Sequence, residues 1–153
     1  MRAKMLEELA LSERIVRDGA EVVPRFRVIT HEGEWIVFVP LPDALEERQR
    51  RMQLVGAFMC WKLATGFILC NELSQPDAIS VAYVGRDDRA LVLREINRKP
   101  PAFGAPQWFD ESAIGHEVLQ LLPPREVEIN KALAEELQCV FGAGGELEAV
   151  RIN

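Results

Sequence analysis

Residues 54–64 read Leu54-Val55-Gly56-Ala57-Phe58-Met59-Cys60-Trp61-Lys62-Leu63-Ala64, an apolar run interrupted by one charge. A helix that is apolar around its whole circumference must be covered around its whole circumference. Sequence signals on either side make this run helical. Asp43 suits an N-cap, and Glu46 three residues later completes a capping-box-like pattern. Gly66 suits a C-terminus. The predicted helix spans residues 44–65. Its first half is charged, with Glu46 and Arg50, and Glu47 and Arg51, at i,i+4 in the favourable order. That half belongs in solvent, and the apolar half belongs across a sheet and beneath a further element.

Strands on both sides supply the sheet. Residues 25–30 alternate, with Phe26 and Val28 on one face and Arg25 and Arg27 on the other. After a short turn containing Gly33, residues 35–39 are apolar and β-rich, so the pair reads as a hairpin ended by Pro40 and Pro42. Three further strands follow the helix at residues 67–70, 78–84 and 90–96, separated by the turn-forming Ser74-Gln75-Pro76-Asp77 and Gly85-Arg86-Asp87-Asp88. The stretch 99–106 has three prolines and Gly104 and is read as irregular. A helix is predicted over 111–122, closed by Pro123-Pro124. Another is predicted over 130–141 with Leu133, Leu137, Val140 and Phe141 as its stripe, followed by a strand over 147–152.

The order is α-β-β-α-β-β-β-α-α-β. Tight turns between strands favour antiparallel pairing, and the grouping of helices between strand runs favours α+β. The expected fold is a mainly antiparallel sheet of five to six strands packed on a long central helix. With 153 residues, 1–153 is expected to form one domain. Residues 1–19, a partial apolar stripe closed by Asp18-Gly19, are read as a detached or partner-docking N-terminal helix.

No apolar run reaches the ~18–20 residues that span a bilayer, and Glu7 and Glu8 interrupt the N-terminus where an export signal needs apolar residues. A cytoplasmic location and no membrane partner are therefore expected. Cys60, Cys70 and Cys139 are far apart and form no C-x-x-C pair, so each is read as a small buried apolar residue. His31 and His116 lack a second histidine at i+3 or i+4, and no phosphate loop or hydrolase elbow occurs. No metal and no cofactor are expected. Residues 1–109 are balanced in charge, and residues 110–153 carry the whole net charge of −6, which argues against nucleic acid as a partner of that part.

Two sets of candidate residues remain. Glu46 and Glu47 precede a three-strand meander in which Pro76-Asp77 opens the second strand and Glu95-Ile96-Asn97 ends the third. That order resembles the core of the PD-(D/E)xK nucleases. The resemblance implies Mg²⁺ held by Asp77 and Glu95, with Glu46 or Glu47 as a third carboxylate. The family's lysine falls at Asn97, with Lys99 two residues on. The residue-level reading is turn chemistry at Asp77 and a solvated Glu95. The second set comprises Phe103, Trp108 and Phe109 in the proline-rich segment, with Arg86 and Arg89 nearby, as candidate partner-binding residues. A hollow lined by Phe58, Trp61 and Tyr83 is a further candidate for a small molecule.

No catalytic set stands out. The expected function is binding or assembly without catalysis, with a second copy of the chain or another protein as partner. A metal-dependent nuclease-like hydrolase using Asp77 and Glu95 is the alternative.

Overall fold

In the computed structural model, which describes residues 1–123 and 128–152, the chain opens with helix α1 (Arg2–Arg17). The alternating segment at Arg25 is strand β1 (Arg25–Thr30), paired antiparallel with β2 (Gly33–Phe38). The Thr30 hydroxyl ties their turn, accepting from the Glu32 amide at 3.2 Å and donating to the Gly33 carbonyl at 2.8 Å. Gly33 takes φ 146°, a conformation that side chains with a Cβ resist.

Helix α2 (Leu45–Trp61) is shorter than predicted at both ends. Its N-cap is Ala44, with no side-chain cap, rather than Asp43. The expected i,i+4 ion pairs are replaced by Arg50 with Glu47, and by Arg50 and Arg51 with Glu146. The helix stops at Leu63 rather than Gly66. The Leu63 amide reaches the Cys60 carbonyl at 3.1 Å and the Ala64 amide the Met59 carbonyl at 2.9 Å, with Leu63 at φ 54°. This is a Schellman stop with leucine in the position that glycine usually fills. Gly66 instead opens the meander β3 (Gly66–Ser74), β4 (Asp77–Gly85), β5 (Arg89–Arg98).

Among the described residues the sheet has eight strands, not five to six, in the order β6-β5-β4-β3-β1-β2-β8, with β7 also on β5. The additional strands come from the proline-rich stretch. β6 (Pro101–Phe103) and β7 (Gln107–Phe109) share the outer edge of β5. Proline is tolerated there because an edge strand leaves one side of its backbone without ladder partners. The helix predicted over 111–122 is a 3₁₀ turn (Glu111–Ala113) and the single-turn α3 (His116–Leu119). Between them Ile114 is extended and buried in the core, which stops a continuous helix. Of the expected Pro123-Pro124 closure, Pro124 lies outside the described residues. Asn130 caps α4 (Lys131–Phe141) by accepting from the Leu133 amide at 2.8 Å. Strand β8 (Glu148–Arg151) closes on β2.

The sheet, rather than α2, is the central layer. Phe26, Val28, Phe67, Ala82 and Val84 face α2 and α4, and there meet Val55, Phe58, Met59, Leu137 and Phe141. Val55, Phe58 and Met59 are fully buried, no residue from 54 to 62 is exposed, and Leu63 alone of the apolar run is wet. The three cysteines divide: Cys70 is buried, Cys60 half-buried and Cys139 exposed.

On the other face Ile68, Cys70, Ile79, Val81 and Val92 meet α1, whose Met5 and Leu9 are fully buried. The N-terminal helix is thus seated against β3 and β4. Its seat is partly ionic. Arg25, 3% exposed, donates to Glu8 Oε2 at 2.7 Å, to the Glu8 carbonyl at 3.2 Å and to Ser12 Oγ at 3.0 Å. Arg27 bonds Glu34 at 2.8 Å and Glu7 at 3.2 Å, and Lys4 also reaches Glu34. The face of the hairpin that carries Arg25 and Arg27 is covered by α1.

Burial pushes the Glu34 carboxyl up, but hydrogen bonds from Lys4 and Arg27 outweigh it and hold the group below its ordinary value. Its contribution to stability is therefore complete above the unfolded carboxylate value, ~4.3, and is lost as pH falls through the lower folded value. The melting temperature is expected to fall between pH 5 and pH 3, and to fall less in Glu34→Gln. An equal fall in both proteins would refute this assignment.

Candidate functional site

At the end of the sheet where β1 turns into β2, three elements enclose a hollow of about 320 Å³. The hairpin turn supplies Thr30, His31 and Glu32, and β2 supplies Trp35. The last turn of α2 and its stop supply Trp61, Lys62 and Leu63, and β8 supplies Arg151. Register accounts for the meeting: Trp35 lies directly opposite Arg151, and directly opposed residues share a face. That face is the one against α2, so Trp35 stacks edge-on to Phe58 at 5.8 Å, and Phe58 in turn meets Trp61 at 6.0 Å.

Lys62 follows Trp61 at the helix end. Its ammonium lies 3.6 Å from the Trp61 ring centre and 4.6 Å from that of Trp35. Burial and then the nearby Arg151 charge lower its pKa, and Glu32 opposes them. Arg151 donates to the Glu32 carbonyl at 2.8 Å. Leu63 is 67% exposed at the rim, an apolar side chain held in a left-handed backbone that costs about 1–2 kcal/mol for a residue with a Cβ. Such strain tends to gather at functional positions.

A second hollow of about 570 Å³ shares His31 and Leu63 and adds Thr65, Tyr83, Arg86, Asp87 and Asp88. Tyr83 donates to Asp88 at 3.1 Å; burial and that bond push its phenol up to about 12, so it stays protonated. Of the three residues expected to line a small-molecule hollow, Trp61 and Tyr83 border these depressions and Phe58 is buried beneath them.

The carboxylates named from sequence do not converge. Glu95 is directly opposite Ala78 and shares its face, so Asp77, one residue earlier, leaves the opposite face. Asp77 is gripped by Arg98 through bonds of 2.7 and 3.0 Å, which hold its carboxyl below the usual range. Arg98 also binds Glu72 at 3.0 Å. Glu46 and Glu47 stand on the exposed start of α2, and Lys99 is exposed just past β5. Among the described residues no three His, Cys, Asp or Glu side chains form a group able to hold a metal.

The aromatic set divides as well. Phe103 lies under Arg17 and Arg94, at 5.0 and 5.7 Å, and Trp108 under Arg2 at 4.4 Å, both packed on the α1-side core. Phe109, opposite Leu91, is 42% exposed. Arg86 donates at 3.4 Å to the Pro123 and Ala64 carbonyls, and with Arg89 it borders a groove beside Leu119 and Leu122.

Strand β8 ends the sheet opposite β6. Val150 and Ile152 are 43% and 42% exposed there. Val150 shares its face with Ile36, its direct partner in β2, and with half-buried Phe38. Sequence reasoning reached neither this wet edge nor the Trp35–Lys62–Arg151 cluster. The one available signal was Lys62 itself, a charge inside an apolar run and next to a tryptophan.

No helix among the described residues is long and apolar enough to cross a membrane. No protein-family model, curated protein or solved structure matches the chain.

Proposed function

We propose that this chain is a cytoplasmic binding or assembly protein without catalysis of its own, and that it pairs with a second copy through strand β8. The observation that carries the reading is a sheet edge whose apolar side chains, Val150 and Ile152, are wet beside Ile36 and Phe38. An edge strand is a ready template for another strand. Antiparallel pairing about a two-fold axis is self-complementary, so one patch serves both partners. Centred on Val150, it sets that side chain against its own counterpart and continues the sheet from one subunit into the next.

Light scattering on a sizing column at tens of micromolar is expected to give twice the 17.3 kDa chain mass. Val150→Lys sets like charges against each other on the axis. It is expected to weaken pairing at least about tenfold while changing the monomer's stability by no more than about 0.5 kcal/mol, as for a surface substitution. A native monomer at that concentration, or a lysine variant that still pairs, overturns the reading.

A further inference from the structure

We infer that the hollow between the hairpin turn and the end of α2 binds a small anion bearing a carboxylate or phosphate group, held by Lys62 and Arg151. The site is a concavity of about 320 Å³, near the lower end of ligand-pocket sizes. Two cationic side chains meet in it, close enough for Arg151 to disfavour the charge on Lys62. Among the described residues no carboxylate lies within 4.0 Å of the Lys62 ammonium, although the chain as a whole is acidic. The ammonium rests instead on two indole rings, which attract a cation without supplying a counter-charge. An oxyanion entering there removes the repulsion between the two cations and forms charge-assisted hydrogen bonds to both. Phe58 fixes the walls from beneath, so the site is shaped before a ligand arrives. Exposed Leu63 offers an apolar rim to the body of such a ligand.

The test follows the three tryptophan indole N–H signals in an NMR titration at low ionic strength, with inorganic phosphate in one arm and acetate in the other. Trp35 and Trp61 line the hollow, and Trp108 lies across the sheet on α1, as an internal control. Saturable shifts of Trp35 and Trp61, with Trp108 still, are expected at half-saturation on the order of millimolar or tighter. Saturation with phosphate alone, acetate alone or both tells which group the site takes. Lys62→Gln is expected to raise half-saturation by about tenfold, the effect of losing one charged hydrogen bond. Lys99→Gln, an exposed charge elsewhere, is expected to leave it unchanged. The inference is overturned if neither anion saturates, if all three indoles shift alike, or if the two variants weaken binding equally.

Discussion

Arg25→Met is expected to lower the unfolding free energy by about 3–5 kcal/mol, the usual effect of stranding a buried charge. The substitution retains much of the side chain's apolar bulk and removes its donors. Glu8, itself buried, then keeps among the described residues only Arg27 within ion-pair range, at 3.5 Å, and water cannot reach it without lifting the helix. Ser12 also loses a donor, although its hydroxyl still donates to the Glu8 carbonyl at 2.9 Å. The companion experiment is Glu8→Leu with Arg25→Met. With both charges gone the desolvation penalty goes too, and the double variant is expected to regain much of the loss. Urea unfolding of the native chain, both single variants and the double variant closes the cycle. A loss below about 1 kcal/mol for Arg25→Met would mean that the guanidinium is not the group that seats α1.

Phe58→Ala is the second large effect, expected at about 3–5 kcal/mol. Phe58 is fully buried and is the hub of an aromatic cluster, with Phe141 at 4.7 Å in addition to Trp35 and Trp61. Removing the ring leaves a cavity between sheet, α2 and α4 and takes the support from beneath both walls of the anion hollow. Phe58→Leu, which fills most of the space, is expected to lose under about half as much, because the loss scales with the residual cavity. Chemical unfolding measures both. Equal losses for alanine and leucine would point to a ring-specific contact in place of volume.

The contrast between these two sites explains how much of the molecule could be read from the sequence. The Phe58 side was legible because its signals are local: an apolar helical run, alternating Phe26 and Val28, and the Leu133–Leu137–Phe141 stripe each declare a face within a few residues. The Arg25 side was not. Glu8 and Arg25 are 17 positions apart, and nothing near either marks the other as its partner. Arginines alternating along a strand look like a wet face, and only the packing of α1 reverses that. Local rules failed in a similar way at Leu63, where a leucine took the turn expected of Gly66, and at 101–109, where Pro101 entered a strand because that strand lies on an edge. The functional hollow combines residues from three separated segments, of which only Lys62 was out of place in its own surroundings.

The seating of α1 also bears on how the chain leaves the ribosome. The helix is synthesised before the strands it lies against, since β3 and β4 emerge only after β1, β2 and α2, and β2 gains its outer neighbour only when β8 arrives. Contacts between distant segments form slowly because the intervening chain must first be gathered in. Until β3 and β4 have emerged, therefore, Met5 and Leu9 ride uncovered on a helix without a bed, a greasy stripe that the growing polypeptide must carry.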